Sequence, residues 1–74
     1  MQLPELESVL DEASFEWLTV NFPAIAKAID TSMKAGATPA DVKLFVLGHT
    51  GREELALRCQ QAAAHLIRTK KVIQ

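Results

Sequence analysis

Apolar residues recur at helical spacing near the start of the chain. They stand alternately three and four positions apart, which keeps them on one side of an α-helix. Pro4 suits the first turn of such a helix, and the acids Glu5 and Glu7 complement its dipole. We therefore predict a first helix over about residues 4–20. Its inward-facing stripe is formed by Leu3, Leu6, Leu10, Ala13, Trp17 and Val20.

Short runs rich in glycine, proline and asparagine divide the rest of the chain. The second segment has isoleucine and methionine four positions apart, with alanines between them, and this pattern favours a helix over about residues 23–35. Gly36 then occupies the position of a left-handed cap that ends such a helix. The dividing runs are 21–23, 36–39 and 48–51.

The third segment begins with a helix-capping sequence. Thr38 can cap the first turn, Pro39 suits the first helical position, and Asp41 follows three residues after the cap. The run 42–47 is mostly apolar and matches a buried strand equally well in composition. Because of the cap, we predict a helix over about residues 39–48.

The fourth segment carries another strong apolar pattern. Thr50 and Glu53 have the spacing of a capping box, in which each side chain bonds the backbone of the other residue. A helix over about residues 51–71 follows, and Lys70 and Lys71 near its end complement the dipole. Its predicted core seam comprises Leu55, Cys59, Ala62 and Leu66, reinforced by Ala56, Ala63 and Ile67.

Four helices joined by short turns predict an all-α fold, a compact bundle whose neighbouring helices run antiparallel. All 74 residues form one domain, because no linker separates them. Domains of this size have small cores and often need disulfides, metals or self-association for stability. A single cysteine excludes an internal disulfide, and a net charge of −1 offers little repulsion between copies. We therefore expect the bundle to self-associate, for example as a homodimer.

The side chains suited to catalysis do not form a recognisable site. A cysteine nucleophile needs a base within hydrogen-bond distance, yet His65 follows Cys59 by six residues and lies about 240 degrees around the helix. His49, Cys59 and His65 also lack the paired short spacing of zinc ligands. We therefore expect no enzyme activity, no catalytic residue, no metal site and no cofactor.

The sequence contains no recognisable targeting or membrane segment. Its apolar runs are far shorter than the roughly 18–20 residues of a membrane span. Residues 1–16 carry acids where a secretion signal would carry bases. These features predict a cytoplasmic protein that does not enter a membrane.

Charge is unevenly divided along the chain, which raises the alternative of a nucleic-acid partner. Residues 1–37 hold six acids and two bases, or −4, whereas residues 38–74 hold three acids and six bases, or +3. The third and fourth segments have the outline of a helix-turn-helix, but only two of its five apolar positions match with Gly48 as the turn glycine. A candidate anion-binding face remains, formed by Arg58, Gln61, His65, Arg68 and Lys71.

Further apolar residues lie on another side of the first helix. Phe15 and Leu18 fall about 120–160 degrees from the stripe, so the two groups cannot share one contact face. Either the helix is covered on both sides, or Phe15, Leu18 and Phe22 meet another chain. We predict these three as anchors of a protein interface, since large apolar residues supply most of an interface's binding energy.

The sequence therefore favours a non-enzymatic protein-interaction module, such as an adaptor, an inhibitor or an assembly factor. Its expected partner is another protein, a second copy of itself, or both. The alternative is a nucleic-acid-associated transcriptional regulator that uses the basic face of the C-terminal helix. Glu53 and Glu54 at the start of that helix disfavour the alternative, because they repel phosphate.

Overall fold

The computed structural model describes the backbone of residues 3–69 and the side chains of residues 9–69. These residues form four α-helices. The predicted all-α bundle is confirmed, and the run 42–47 is helical rather than part of a sheet. Within the described residues, none of these helices combines the length and apolar character needed to span a bilayer. The elements are α1 (Leu3–Asn21), α2 (Pro23–Lys34), α3 (Pro39–Thr50) and α4 (Glu53–Arg68).

Helix α4 is the central element, because the two most extensive helix contacts of the bundle are those of α4 with α1 and with α3. Its small residues Ala56, Cys59, Ala62 and Ala63 are fully buried, which lets the neighbouring helices approach closely. The predicted seam of α4 is confirmed, with Ile67 partly buried at its edge. The larger side chains that complete the core are Leu18, Ile29, Met33, Val42, Val46, Leu55 and Leu66.

The turn between α2 and α3 follows from local sequence. Gly36 has a φ of 105°, and the N–H groups of Gly36 and Ala37 donate to carbonyls in the last turn of α2, as in a Schellman cap. At the start of α3, the Thr38 hydroxyl accepts from the Asp41 N–H, while the Thr38 N–H donates to the Asp41 carboxylate. Both predicted capping signals are confirmed.

The boundary between α3 and α4 differs from the prediction. Helix α3 continues through Gly48 to Thr50, whose hydroxyl donates to the carbonyl four residues earlier instead of capping α4. Gly51 ends α3 with a φ of 69°, and α4 begins at Glu53 without a side-chain cap. The predicted capping box of Thr50 and Glu53 is wrong, because Thr50 belongs to the last turn of α3 and Gly51 makes the left-handed turn.

Helix α1 turns a different face toward the core from the one predicted. On the inner side Leu18 is fully buried, and Asp11 and Ser14 are 5% and 4% exposed. On the outer side Leu10 and Val20 are 46% and 79% exposed. The predicted inward orientation of the apolar stripe is therefore wrong for Leu10, Ala13 and Val20, whereas Trp17 is half-buried and packs against the core.

Polar contacts on the inner face explain this difference. Arg68 Nε donates to Asp11 Oδ2 over 2.9 Å, and Ser14 Oγ donates to Gln61 Oε1 over 2.5 Å. In the sequence, aspartate and serine make this face resemble a solvent-exposed one. In the fold, their partners on α4 satisfy the buried polar groups, so Leu18 on the same face can enter the core.

Two glycines near the end of α3 are predicted to respond oppositely to alanine. Gly48 lies within the helix, and an added Cβ would meet no atom within 4 Å. Gly48→Ala should raise the free energy of unfolding by about 0.5–1 kcal/mol, because alanine restricts the unfolded chain. Gly51→Ala should lower it by about 1–2 kcal/mol, because alanine is strained at a φ of 69°. Urea denaturation measures both, and changes of the same sign would contradict this helix boundary.

Candidate functional site

The candidate site is a row of apolar side chains along the outward side of α1. Its described members, here called the outer stripe, are Val9, Leu10, Ala13, Trp17 and Val20. Val9 and Val20 are 62% and 79% exposed, and Ala13 is exposed as well. Leu3 and Leu6 of the predicted stripe lie outside the residues whose side chains are described. Because monomeric proteins rarely leave large contiguous apolar patches uncovered, the outer stripe is a candidate contact surface.

The outer stripe has the spacing of a coiled-coil seam. Leu10, Ala13, Trp17 and Val20 stand three, four and three positions apart, as the a and d positions of a heptad do. The 19 residues of α1 span about 28 Å at 1.5 Å per residue. A second helix therefore has room to lie along this face.

One edge of the outer stripe is acidic. Glu12 and Glu16 are exposed and lie within about 60 degrees of Val9 around the helix axis. Helix α1 contains no lysine, arginine or histidine along its whole length. Any chain that covers the outer stripe therefore meets negative charge along this edge.

The opposite edge of the outer stripe meets α4 at Trp17. The Trp17 ring lies 5.5 Å from the ring of Phe22, and the Arg58 guanidinium carbon lies 4.5 Å from the Trp17 ring centroid. Arg58 also approaches the Glu54 carboxylate at 3.9 Å. Trp17 is therefore half-buried against Phe22 and Arg58, and it borders the exposed part of the stripe.

The three predicted interface anchors lie in the core or against it. Leu18 is fully buried, so its prediction as an interface residue is wrong. Phe15 and Phe22 are partly buried and pack against the same core, with the Phe15 ring 5.1 Å from the His65 ring. The small side chains of α4 leave room for these large ones from α1, so the bundle itself covers this side of the helix.

Four residues of the predicted anion-binding face contact α1. These contacts are Arg58 with Trp17, Gln61 with Ser14, His65 with Phe15 and Arg68 with Asp11. Helix α1 packs along that side of α4 and covers part of the candidate anion-binding face. Arg58 and Arg68 retain 36% and 42% of their side-chain exposure, so anion binding by this face stays a prediction. Lys71, the fifth residue, lies outside the described residues.

A second apolar feature is a groove between α2 and α3, with a volume of about 390 Å³. Its apolar lining includes Ile25, Ile29, Val42, Phe45 and Val46. Two polar residues of its lining are already engaged: Asp41 caps α3, and the His49 ring lies 4.2 Å from the Phe45 ring. The groove thus carries no charge pattern that would select a partner.

Cys59 belongs to the buried seam of α4. It is fully buried, and burial raises the pKa of its thiol, which disfavours the nucleophilic thiolate. No hydrogen bond joins it to His49 or His65, which face Phe45 and Phe15 respectively. Across residues 9–69, no three His, Cys, Asp or Glu side chains are grouped as metal ligands would be.

The sequence pattern identified Leu10, Ala13, Trp17 and Val20 as a row, but it did not include Val9 and did not predict that the row is exposed. The sequence also places Phe15 and Leu18 on a second side of α1, together with Asp11, but the pattern alone did not decide that this side packs into the core. When a helix has two apolar rows and packs against a small bundle with one of them, the other row stays exposed to solvent. The acids Glu12 and Glu16 then become part of the surface that a partner would meet.

No protein-family model, curated protein or solved structure matches this chain. The surface of α1 and the groove between α2 and α3 are therefore the observations that bear on function.

The double substitution Phe15→Ala with Leu18→Ala tests the inner face of α1. Removing the buried Leu18 side chain should alone lower the free energy of unfolding by about 2–5 kcal/mol, because a cavity remains. A bundle this small has little more stability than that, so the double variant should lose most of its helical circular dichroism signal. The control Val20→Ala should change the free energy of unfolding by less than about 0.5 kcal/mol. Retained helicity in the double variant would contradict the assignment of this face to the core.

Proposed function

We propose that this chain is a non-enzymatic protein-interaction module whose contact surface is the outer stripe of α1. The observation that supports this is the coiled-coil spacing of apolar side chains on a helix face that the rest of the described chain leaves exposed. These side chains lose contact with water only when another chain covers them. A module of this kind works as an adaptor, an inhibitor or an assembly factor by presenting one helix to its partner.

The shape of the outer stripe favours a helix as the covering element. Side chains at a and d positions insert between four residues of a facing helix, so a straight row of them suits another helix along its length. Val9 and Leu10 lie in the first half of the described row and Val20 lies near its end. The contact would therefore extend over several turns of α1 and would not form a compact pocket for a small molecule.

Nucleic-acid binding has weaker support. The described residues that would carry it, such as Arg58 and Arg68, are packed against Trp17 and Asp11 of α1. The exposed side of α1 is acidic and repels phosphate. We therefore place the interaction on α1 and assign no nucleic-acid role to α4.

Site-specific photo-crosslinking tests the proposal in cells of the native host. A photoreactive side chain placed at position 10, 13 or 20 should give the same discrete adduct, because these positions share one face of α1. Leu44 on α3 is 67% exposed and provides a matched control position, which should not give that adduct. Mass spectrometry of the adduct identifies the partner.

A stripe variant provides the specificity control for this experiment. Leu10→Gln with Val20→Gln should abolish the adduct formed from position 13, because glutamine removes the apolar contact without adding charge. Circular dichroism should stay unchanged, since both leucine and valine are exposed at these positions. Absence of a discrete adduct from all stripe positions, or the same adducts from position 44, would refute the proposal.

A further inference from the structure

We infer that the occupant of the outer stripe is a helix of a different protein that carries a basic flank, an inference that rests on the proposed function. The charges beside the stripe fit one partner chemistry, namely an amphipathic helix with lysine or arginine next to its apolar row.

The acids beside the outer stripe are uncompensated. Of the five acids in α1, Asp11 is bound by Arg68 within the bundle. Glu12 and Glu16 are exposed, and neither forms an ion pair with another described residue. Because they stand four positions apart, both lie on the same edge of the helix. A partner helix with two bases at matching spacing would neutralise this edge and gain specificity from it.

In its described helices, a second copy of this chain is a poor source of such bases. Its own α1 carries the same acids and no base, so pairing two of these helices side by side adds like charges. Arg58 and Arg68 lie against their own α1, and Lys34 pairs with Asp30 over 3.1 Å. The remaining described bases are Lys27 on α2, Lys43 on α3 and Arg52 in the turn before α4. Lys27 and Lys34 share one side of α2, but Asp30 lies near them and pairs with Lys34, so this side offers a partner's acids fewer uncompensated charges.

The two edges of the outer stripe also make the expected partner asymmetric. Glu12 and Glu16 border it on one side, whereas Arg58 stands beside Trp17 on the other. A partner helix should accordingly carry bases on the flank that faces the glutamates and neutral or acidic residues on the flank that faces Arg58. This asymmetry also selects one orientation of the partner along α1.

Three synthetic helices test the inference on the purified full chain. Each has about 21 residues, or three heptads, with leucine at a and d, and they differ only in having lysine, glutamine or glutamate at one flank. Titration calorimetry should show the lysine helix binding about three- to thirty-fold more tightly than the glutamine helix at low salt, as expected for two exposed ion pairs. The glutamate helix should bind more weakly than the glutamine helix. In roughly 0.5 M salt the differences should largely disappear, because screening is then strong.

Charge variants of this chain distinguish the effect of Glu12 and Glu16 from the effect of the net charge. Glu12→Gln with Glu16→Gln should abolish the preference for the lysine helix while leaving the affinity for the glutamine helix unchanged. Asp30→Asn with Glu53→Gln removes two negative charges elsewhere, on α2 and α4, and should preserve the preference. Leu10→Gln with Val20→Gln should abolish binding of all three helices.

Each contrary result has a distinct meaning. Equal affinity for the lysine and glutamate helices would overturn the inference about charge, and so would the absence of binding by any helix. Photo-crosslinking from the stripe would then decide whether the proposed function stands. A homodimer in light scattering that Leu10→Gln with Val20→Gln dissociates would also overturn the inference. That outcome would identify a second copy as the partner and would still support the outer stripe as the contact surface.

Discussion

The contact between α1 and α4 determines which surface this protein presents. Two polar pairs, Asp11 with Arg68 and Ser14 with Gln61, lie in that contact beside the fully buried Leu18. Rotating α1 about its axis would bring its other face to α4 and separate both pairs. In the observed rotation, the pairs satisfy polar groups that would otherwise be buried without a partner, at a cost of about 1–3 kcal/mol each, and Leu18 stays in the core. The polar pairs therefore specify one rotation of α1, and that rotation leaves the outer stripe exposed.

Local patterns in the sequence predicted the helices and the core seam of α4, because each of those signals acts within a few residues. The box of Thr38 and Asp41 and the cap at Gly36 have all their partners nearby in the chain. The orientation of α1 depends instead on contacts between residues 47 and 57 positions apart, such as Ser14 with Gln61 and Asp11 with Arg68. A single sequence does not reveal that a buried aspartate has an arginine opposite it. The exposure of the outer stripe was not predicted for that reason, although Leu10, Ala13, Trp17 and Val20 were recognised as a row.

The same contact determines which charged side chains remain exposed. In the sequence, the first half is acidic and the second half is basic, which raised the alternative of a basic nucleic-acid surface. In the fold, Arg68 binds Asp11 and Arg58 stacks on Trp17, so two of the bases lie against α1. The acids that remain exposed on α1 then lie along the outer stripe. The chain has a net charge of only −1, yet its fold presents an acidic, partly apolar face on α1.

The most direct test of the account is a cysteine-accessibility scan of α1 in a Cys59→Ala background, which removes the one native thiol. Single cysteines at positions 10, 13 and 20 should react with a thiol reagent at nearly the rate of the unfolded chain, since these residues are exposed. A cysteine at position 14 should react far more slowly, because Ser14 is 4% exposed and its replacement reacts only when the bundle opens. Rapid labelling at 14, with protection at 10, 13 and 20, would show that the stripe faces the core and would contradict the account.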